Sequence, residues 1–262
     1  MTLLEIVACQ TVRAASTAVA AGCLVLGSAG TAAGQQAVRG ESRGFIMTSG
    51  VYQATSKDFS DRIVFAEFAE EGSLDAGYEL ATGPLFDIGG TVRVWRNLGV
   101  GAAVSVFTRD DAASVTARIP HPFFFNRNRE INGSKEGLKR EERAVHVQAV
   151  WLVPANGSFQ VMLFGGPTFF KVEQDLVTNV LFSHEYPYDS ARFTGTVVVS
   201  RTESKVGFNV GADLGFYFSK NAGVGWLIRF SRASVDLPSE NGGSVAVESG
   251  GLHAGGGLRL RF

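Results

Sequence analysis

Thiols are nearly missing from this sequence. Of 262 residues only two are cysteine, and both, Cys9 and Cys23, stand close to the start. Past position 23 nothing can supply a disulfide framework, a cysteine-ligated zinc or a cysteine nucleophile. A charge excess is missing as well. The 24 Lys and Arg meet 25 Asp and Glu for a formal charge of -1, so there is no basic footprint for nucleic acid. Helical periodicity is absent too: after Ser42 no segment keeps a sustained 3.6-residue period, while alternation is common. What the chain has in abundance is Gly (32) and Phe (20). Glycine at that level, without a collagen triplet, argues against a helical bundle. With Val, Thr and aromatics it suits a β-rich chain.

The first residues read as an export signal. In "VRAASTAVAAGCLVLGSAGTAAGQQ" a single basic residue, Arg13, precedes an uncharged apolar stretch that ends in small residues. That pattern predicts a signal peptide over 1–34, cleaved near Ala33 or Gly34, and a short linker over 35–42. Two readings compete. A transmembrane anchor has the length, but Gly, Ser and Thr make this one weakly hydrophobic. A lipoprotein box at Cys23 is contradicted by the apolar "LVLG" that follows it.

From 43 to 262 the chain reads as one domain. Three short connections, "RNLG" (96–99), "PANGS" (154–158) and "SKNAG" (219–223), carry Asn with a nearby Gly between strand-like runs. That is tight-hairpin chemistry. Between the hairpins lie long polar segments, near 55–82, 109–142, 172–204 and 235–250. The runs between them, including a less regular first one over 44–54, predict eight strands of about ten residues, the length a tilted strand needs to cross a bilayer. Taken in steps of two, one face is apolar: Val206, Phe208, Val210, Ala212, Leu214, Phe216 and Phe218 in one run, Val224, Trp226, Ile228 and Phe230 in the next. The opposite face mixes Gly, Ala and Ser with isolated charges. Lipid outside and a crowded lumen inside explain both faces, because a charge at the bilayer midplane costs roughly 2–4 kcal/mol. The aromatics Trp151, Phe159, Phe216, Phe218, Trp226 and Phe262 gather near the short turns like a membrane-interface girdle. Trp95 departs from this, since its parity places it on the polar face. The expected fold is all-β, an eight-stranded antiparallel up-and-down transmembrane β-barrel, with short turns on one side and long loops on the other. A soluble lipocalin-like carrier is the alternative, and it requires Phe208, Val210 and Leu214 to point inward.

With its signal-like start, its three hairpins and its terminal "GLRLRF", the chain resembles the small outer-membrane β-barrel family, including the OmpA transmembrane domain and OmpX-like barrels. The resemblance implies a bacterial outer-membrane location, a lipid-bilayer environment and a C-terminal strand read by the barrel-assembly machinery. It does not specify an activity.

Ten polar residues share the lumen-side parity: Asp87, Arg93, His146, Gln148, Lys205, Asn209, Asp213, Arg229, Arg259 and Arg261. They are a solute path or, the favoured reading, a paired network that fills a narrow barrel. "IPHPFFFNRNRE" offers a loop binding set of Phe123, Phe124, Phe125, Arg127 and Arg129. Ser183, His184 and Glu185 are contiguous, so they cannot form a nucleophile–base–orienter relay among themselves. No cofactor and no metal site is indicated. The expected protein is non-enzymatic and serves envelope integrity, adhesion or partner binding. A narrow solute channel and an outer-membrane lipid-modifying enzyme are the alternatives.

Overall fold

A computed structural model describes residues 42–54, 58–154, 158–240 and 242–262. The export-signal reading and most of the 35–42 linker therefore lie outside the described residues, as does the centre of the "PANGS" turn. The described residues form ten strands and no helix: β1 (Gly44–Ala54), β2 (Phe59–Glu67), β3 (Glu70–Glu79), β4 (Gly83–Trp95), β5 (Leu98–Pro120), β6 (Asn128–Val153), β7 (Phe159–Ser183), β8 (Arg192–Tyr217), β9 (Ala222–Pro238) and β10 (Ser244–Arg261). Antiparallel pairing runs β5-β4-β1-β10-β9-β8-β7-β6, and β6 pairs back onto β5, so eight strands close a ring. The remaining two prolong existing staves. β3 follows the line of β4 along β5, pairing Glu79 with Ala112 where β4 pairs Leu85 with Phe107, and β2 pairs β3 as β1 pairs β4.

The ring closes at the chain's end. Phe262 accepts backbone hydrogen bonds from Arg43 and Gly44 and donates one to Gly44. Its ring lies where a Cβ on Gly44 would stand. Beside it β10 runs very close to β1: a Cβ on Gly257 would sit 1.9 Å from the Thr48 carbonyl oxygen. The "GGG" of 255–257 thus admits the backbone of the neighbouring stave.

Parity holds along each stave while chemistry inverts. On β9 the outward residues are Val224, Trp226, Ile228 and Phe230, then Arg232, Ser234 and Asp236. The inward residues are Leu227, Arg229 and Ser231, then Ala233, Val235 and Leu237. The barrel therefore has an apolar outer belt around a polar interior, and above it a polar exterior around an apolar core. That upper core joins Ile63, Leu74, Val115, Ile119, Leu138, Val172, Leu176, Val235 and Val247, all buried. A smaller cluster of Phe45, Leu152, Met162, Phe164 and Leu227 shares the belt interior with the polar residues.

Two expectations need correction. The four long polar segments are mostly not loops. The first contains the β2–β3 hairpin, and the other three are continuations of staves up to 26 residues long. They look loop-like in sequence because their outer face is solvated, whereas their inner face still alternates apolar residues. At a rise of roughly 3.4 Å per residue and a tilt of about 40°, the 15 residues of β6 above the belt stand roughly 40 Å high. Trp95 is not inward either. A bulge between Arg93 and Trp95 shifts the register and leaves Val94 and Trp95 both exposed. The inside-out alternative fails, because Phe208, Val210 and Leu214 are 51%, 53% and 45% exposed.

Inversion along one strand gives a direct test. Ile228→Arg, in the belt, should cost roughly 2–4 kcal/mol of unfolding free energy in lipid vesicles. Ser234→Arg, on the same face above the belt, should stay within about 0.5 kcal/mol of wild type. Equal costs would remove the belt.

Candidate functional site

Two places concentrate chemistry, the barrel interior and the outer tip. In the interior, hydrogen bonds run from stave to stave. Arg229 on β9 pairs with Asp87 on β4 and donates to Ser105 Oγ on β5 (3.1 Å). Ser105 Oγ donates to Asp87 (2.7 Å) and lies 2.9 Å from His146 Nε2 on β6. His146 Nδ1 lies 2.8 Å from Thr168 Oγ1 on β7, which accepts from Asn209 Nδ2 on β8 (2.8 Å). Gln148 Nε2 closes the chain by donating to Asn209 Oδ1 (2.9 Å). A second knot joins β10, β8 and β1. Arg259 donates through Nε to both Asp213 oxygens (3.0 Å each) and through Nη1 to Ser49 Oγ (3.0 Å). A third, absent from the sequence reading, pairs Arg140 with Glu142, and Glu142 accepts from the Gly250 amide (3.0 Å).

Of the ten residues assigned to the lumen by parity, Asp87, His146, Gln148, Asn209, Asp213, Arg229 and Arg259 are buried. Arg93 and Arg261 are half-buried near the short turns, with the Arg261 guanidinium 4.0 Å from the Tyr217 ring centroid. Lys205 is a correction. It is exposed and pairs with Asp236 (3.0 Å), because β8 and β9 cease to pair above Phe208 and Arg232. Arg140 and Glu142 were missed because their segment looks like a polar loop; the alternation Leu138, Arg140, Glu142, Ala144 on the inward parity was the available signal.

Ser105 Oγ donates to Asp87 (2.7 Å), whereas a catalytic serine gives its proton to its histidine. Ser105 and His146 are also 1% and 0% exposed.

At the tip the β5–β6 turn meets the segment after β7. Arg129 fastens them, donating to the carbonyls of Pro120 (2.7 Å) and Tyr188 (3.2 Å) and to His184 Nδ1 (3.1 Å). Arg129 is 5% exposed, so it staples the tip and is not free to hold a ligand, correcting its assignment to the binding set. Arg127 pairs with Asp189 (3.0 Å) and lies over the Phe124 ring. Phe123, Phe124 and Phe125 are 68%, 57% and 73% exposed, and Tyr186 stands out beside them. His121 Nδ1 accepts from the Phe123 and Phe124 amides (3.1 and 3.3 Å), which folds the three-Phe turn. Ser183, His184 and Glu185 are adjacent without a relay: His184 Nδ1 is occupied by Arg129. The six girdle aromatics, Trp151, Phe159, Phe216, Phe218, Trp226 and Phe262, are all exposed on the outer face or rim near the short turns.

Fold and belt together define the class, a membrane-spanning β-barrel of the outer-membrane type. No family model and no curated protein matches the chain. Among solved structures it is similar to the solid-state NMR structure of the outer membrane protein AlkL in DMPC bilayers, at 12% identity and TM-score 0.39 over 90% of this chain and 97% of that one. It is similar also to the outer membrane protease OmpT from Escherichia coli, at 10% and 0.40 over 84% and 97%. The translocator domain of the autotransporter NalP from Neisseria meningitidis follows at 12% and 0.25 over 86% and 90%. Likeness this low transfers no activity, and the architecture stands on the strand register.

Two outcomes are expected here. Asp213→Ala should lower unfolding free energy by about 3–5 kcal/mol, whereas the double change Asp213→Leu with Arg259→Met should recover most of it; urea titration in vesicles measures both. At the tip, burial first and then Arg127 and Arg129 lower the His121 pKa, against the opposing pull of Asp189. A histidine depressed in the fold stabilises it above its unfolded pKa of about 6.5, and that stability is lost as pH falls toward the folded value. Protection factors of the Phe123 and Phe124 amides, that is exchange corrected for its intrinsic pH dependence, should therefore fall between pH 7 and pH 5, and a flat protection profile would contradict this role for His121.

Proposed function

We propose that the chain is a non-enzymatic integral protein of the bacterial outer membrane, a closed barrel that presents an aromatic tip to partners outside the cell. The observation that carries this reading is the filled interior. Arg140, Arg259, His146, Phe107, Leu138 and Val235 are all 0% exposed, from the belt to the upper core. A barrel of eight strands is just wide enough for its own side chains, so its work falls to its outer surface. The orientation of the Ser105–His146 pair supports the non-enzymatic reading over a lipid-modifying enzyme, and the paired arginines support a static interior over a solute path. Long staves on one side and short turns on the other support an external tip. The closing strand β10 is the segment offered to the barrel-assembly machinery.

Planar-bilayer recording of the reconstituted full chain tests the closed barrel. No unitary current steps are expected in neutral salt, while a steady open current with defined steps would establish the channel alternative. Replacing Phe123, Phe124 and Phe125 with Ser should leave stability within about 0.5 kcal/mol for each residue, as expected of side chains held out for a partner.

A further inference from the structure

The outer face carries a row of donors at the upper edge of the apolar belt. Register places Arg143 on β6 opposite Lys171 on β7, and Lys171 opposite Ser204 on β8. All three are exposed and outward-facing. One step below lie Val145, Phe169 and Val206, with Phe208 beyond them, all exposed and apolar. One step above lie Glu141, Glu173 and Thr202. Like charges directly opposed across a ladder destabilise it unless something compensates. Arg143 has Glu141, which also pairs with Lys139 (3.6 Å). Lys171 has no ion-pair partner among the described residues. A small cleft opens between Glu141, Arg143, Lys171 and Glu173.

We infer that Arg143, Lys171 and Ser204 bind the phosphate of an outer-leaflet lipid whose acyl chains lie on Val145, Phe169, Val206 and Phe208. The inference rests on the membrane reading above. A guanidinium, an ammonium and a hydroxyl in one row give a phosphate charge-assisted hydrogen bonds from three neighbouring staves. The apolar row beneath selects a phosphate that carries chains over a free one. Glu173, uncommitted in the row above, excludes the anion from that side and fixes it at the belt edge.

The test reconstitutes the full chain in phosphatidylcholine nanodiscs doped with a minor fraction of lipid A, and counts retained lipid A by native mass spectrometry. Wild type should retain lipid A in excess of its bulk share. Arg143→Gln with Lys171→Gln should lower retention about tenfold, as loss of charge-assisted bonds implies. Lys171→Arg should keep it, and Glu173→Gln should raise it. Excess inorganic phosphate should not displace the lipid. Equal retention by the double glutamine variant, or displacement by inorganic phosphate alone, would overturn the assignment. A chain that fails to enter nanodiscs at all would instead overturn the membrane reading, so the two failures are distinguishable. A heat-modifiable gel shift confirms that each variant is folded before counting.

Discussion

Hydrocarbon offers no partner to a backbone amide, so a sheet that crosses it cannot keep an edge. Most of the structure follows from that constraint. It requires Phe262 to bond back to Gly44 and β6 to return to β5. Closure also curls the sheet tightly enough that β10 needs glycine against β1. Once closed, the barrel has two fixed faces, and every outward residue in the belt must suit lipid. The polar residues the chain retains there are turned inward, where their partners are each other and the strand backbone.

The interior network is a consequence as much as a device. Three buried arginines, Arg140, Arg229 and Arg259, each meet one carboxylate, from Glu142, Asp87 and Asp213. Pairing of this kind adds little net stability compared with apolar packing, yet breaking any pair is costly. Its effect is to fix which staves face each other. Above the belt the constraint lapses. Pairing between β6 and β7 stops above Arg140 and Gln174, and that between β8 and β9 above Phe208 and Arg232. The wall there is held by the apolar core instead, as in a soluble β protein. The exposed tip sits on this second structure, and Arg129 fastens its two segments.

Much of the belt was legible in sequence, because alternation at period two survives wherever one face meets lipid. The outward set of β8 and β9, the first strand over 44–54 and the short turns at Arg96–Asn97 and after Tyr217 all follow from it. The upper staves were not legible. There the polar face turned outward, and a polar segment with few glycine turns looks like a loop. The β2–β3 turn was hidden for another reason: Phe68 and Ala69 hold positive φ without Asn or Gly to announce it. Parity placed seven lumen residues in the interior but misplaced Lys205, because parity says which face a residue takes and not whether the neighbouring stave is still there to bury it. Arg129 was misjudged from composition alone, as an arginine beside three Phe residues reads equally as ligand or staple.

One strand keeps its parity while its surroundings exchange lipid for water. With Cys9 and Cys23 replaced by Ser, single-cysteine scanning along β9 from Val224 to Leu237, with a fluorophore quenched by brominated lipid, reads this out residue by residue. Quenching is expected at 224, 226, 228 and 230, with none at 227, 229 or 231 and none on either face from 232 onward. Quenching at the odd positions, or continued quenching at 234 and 236, would contradict it.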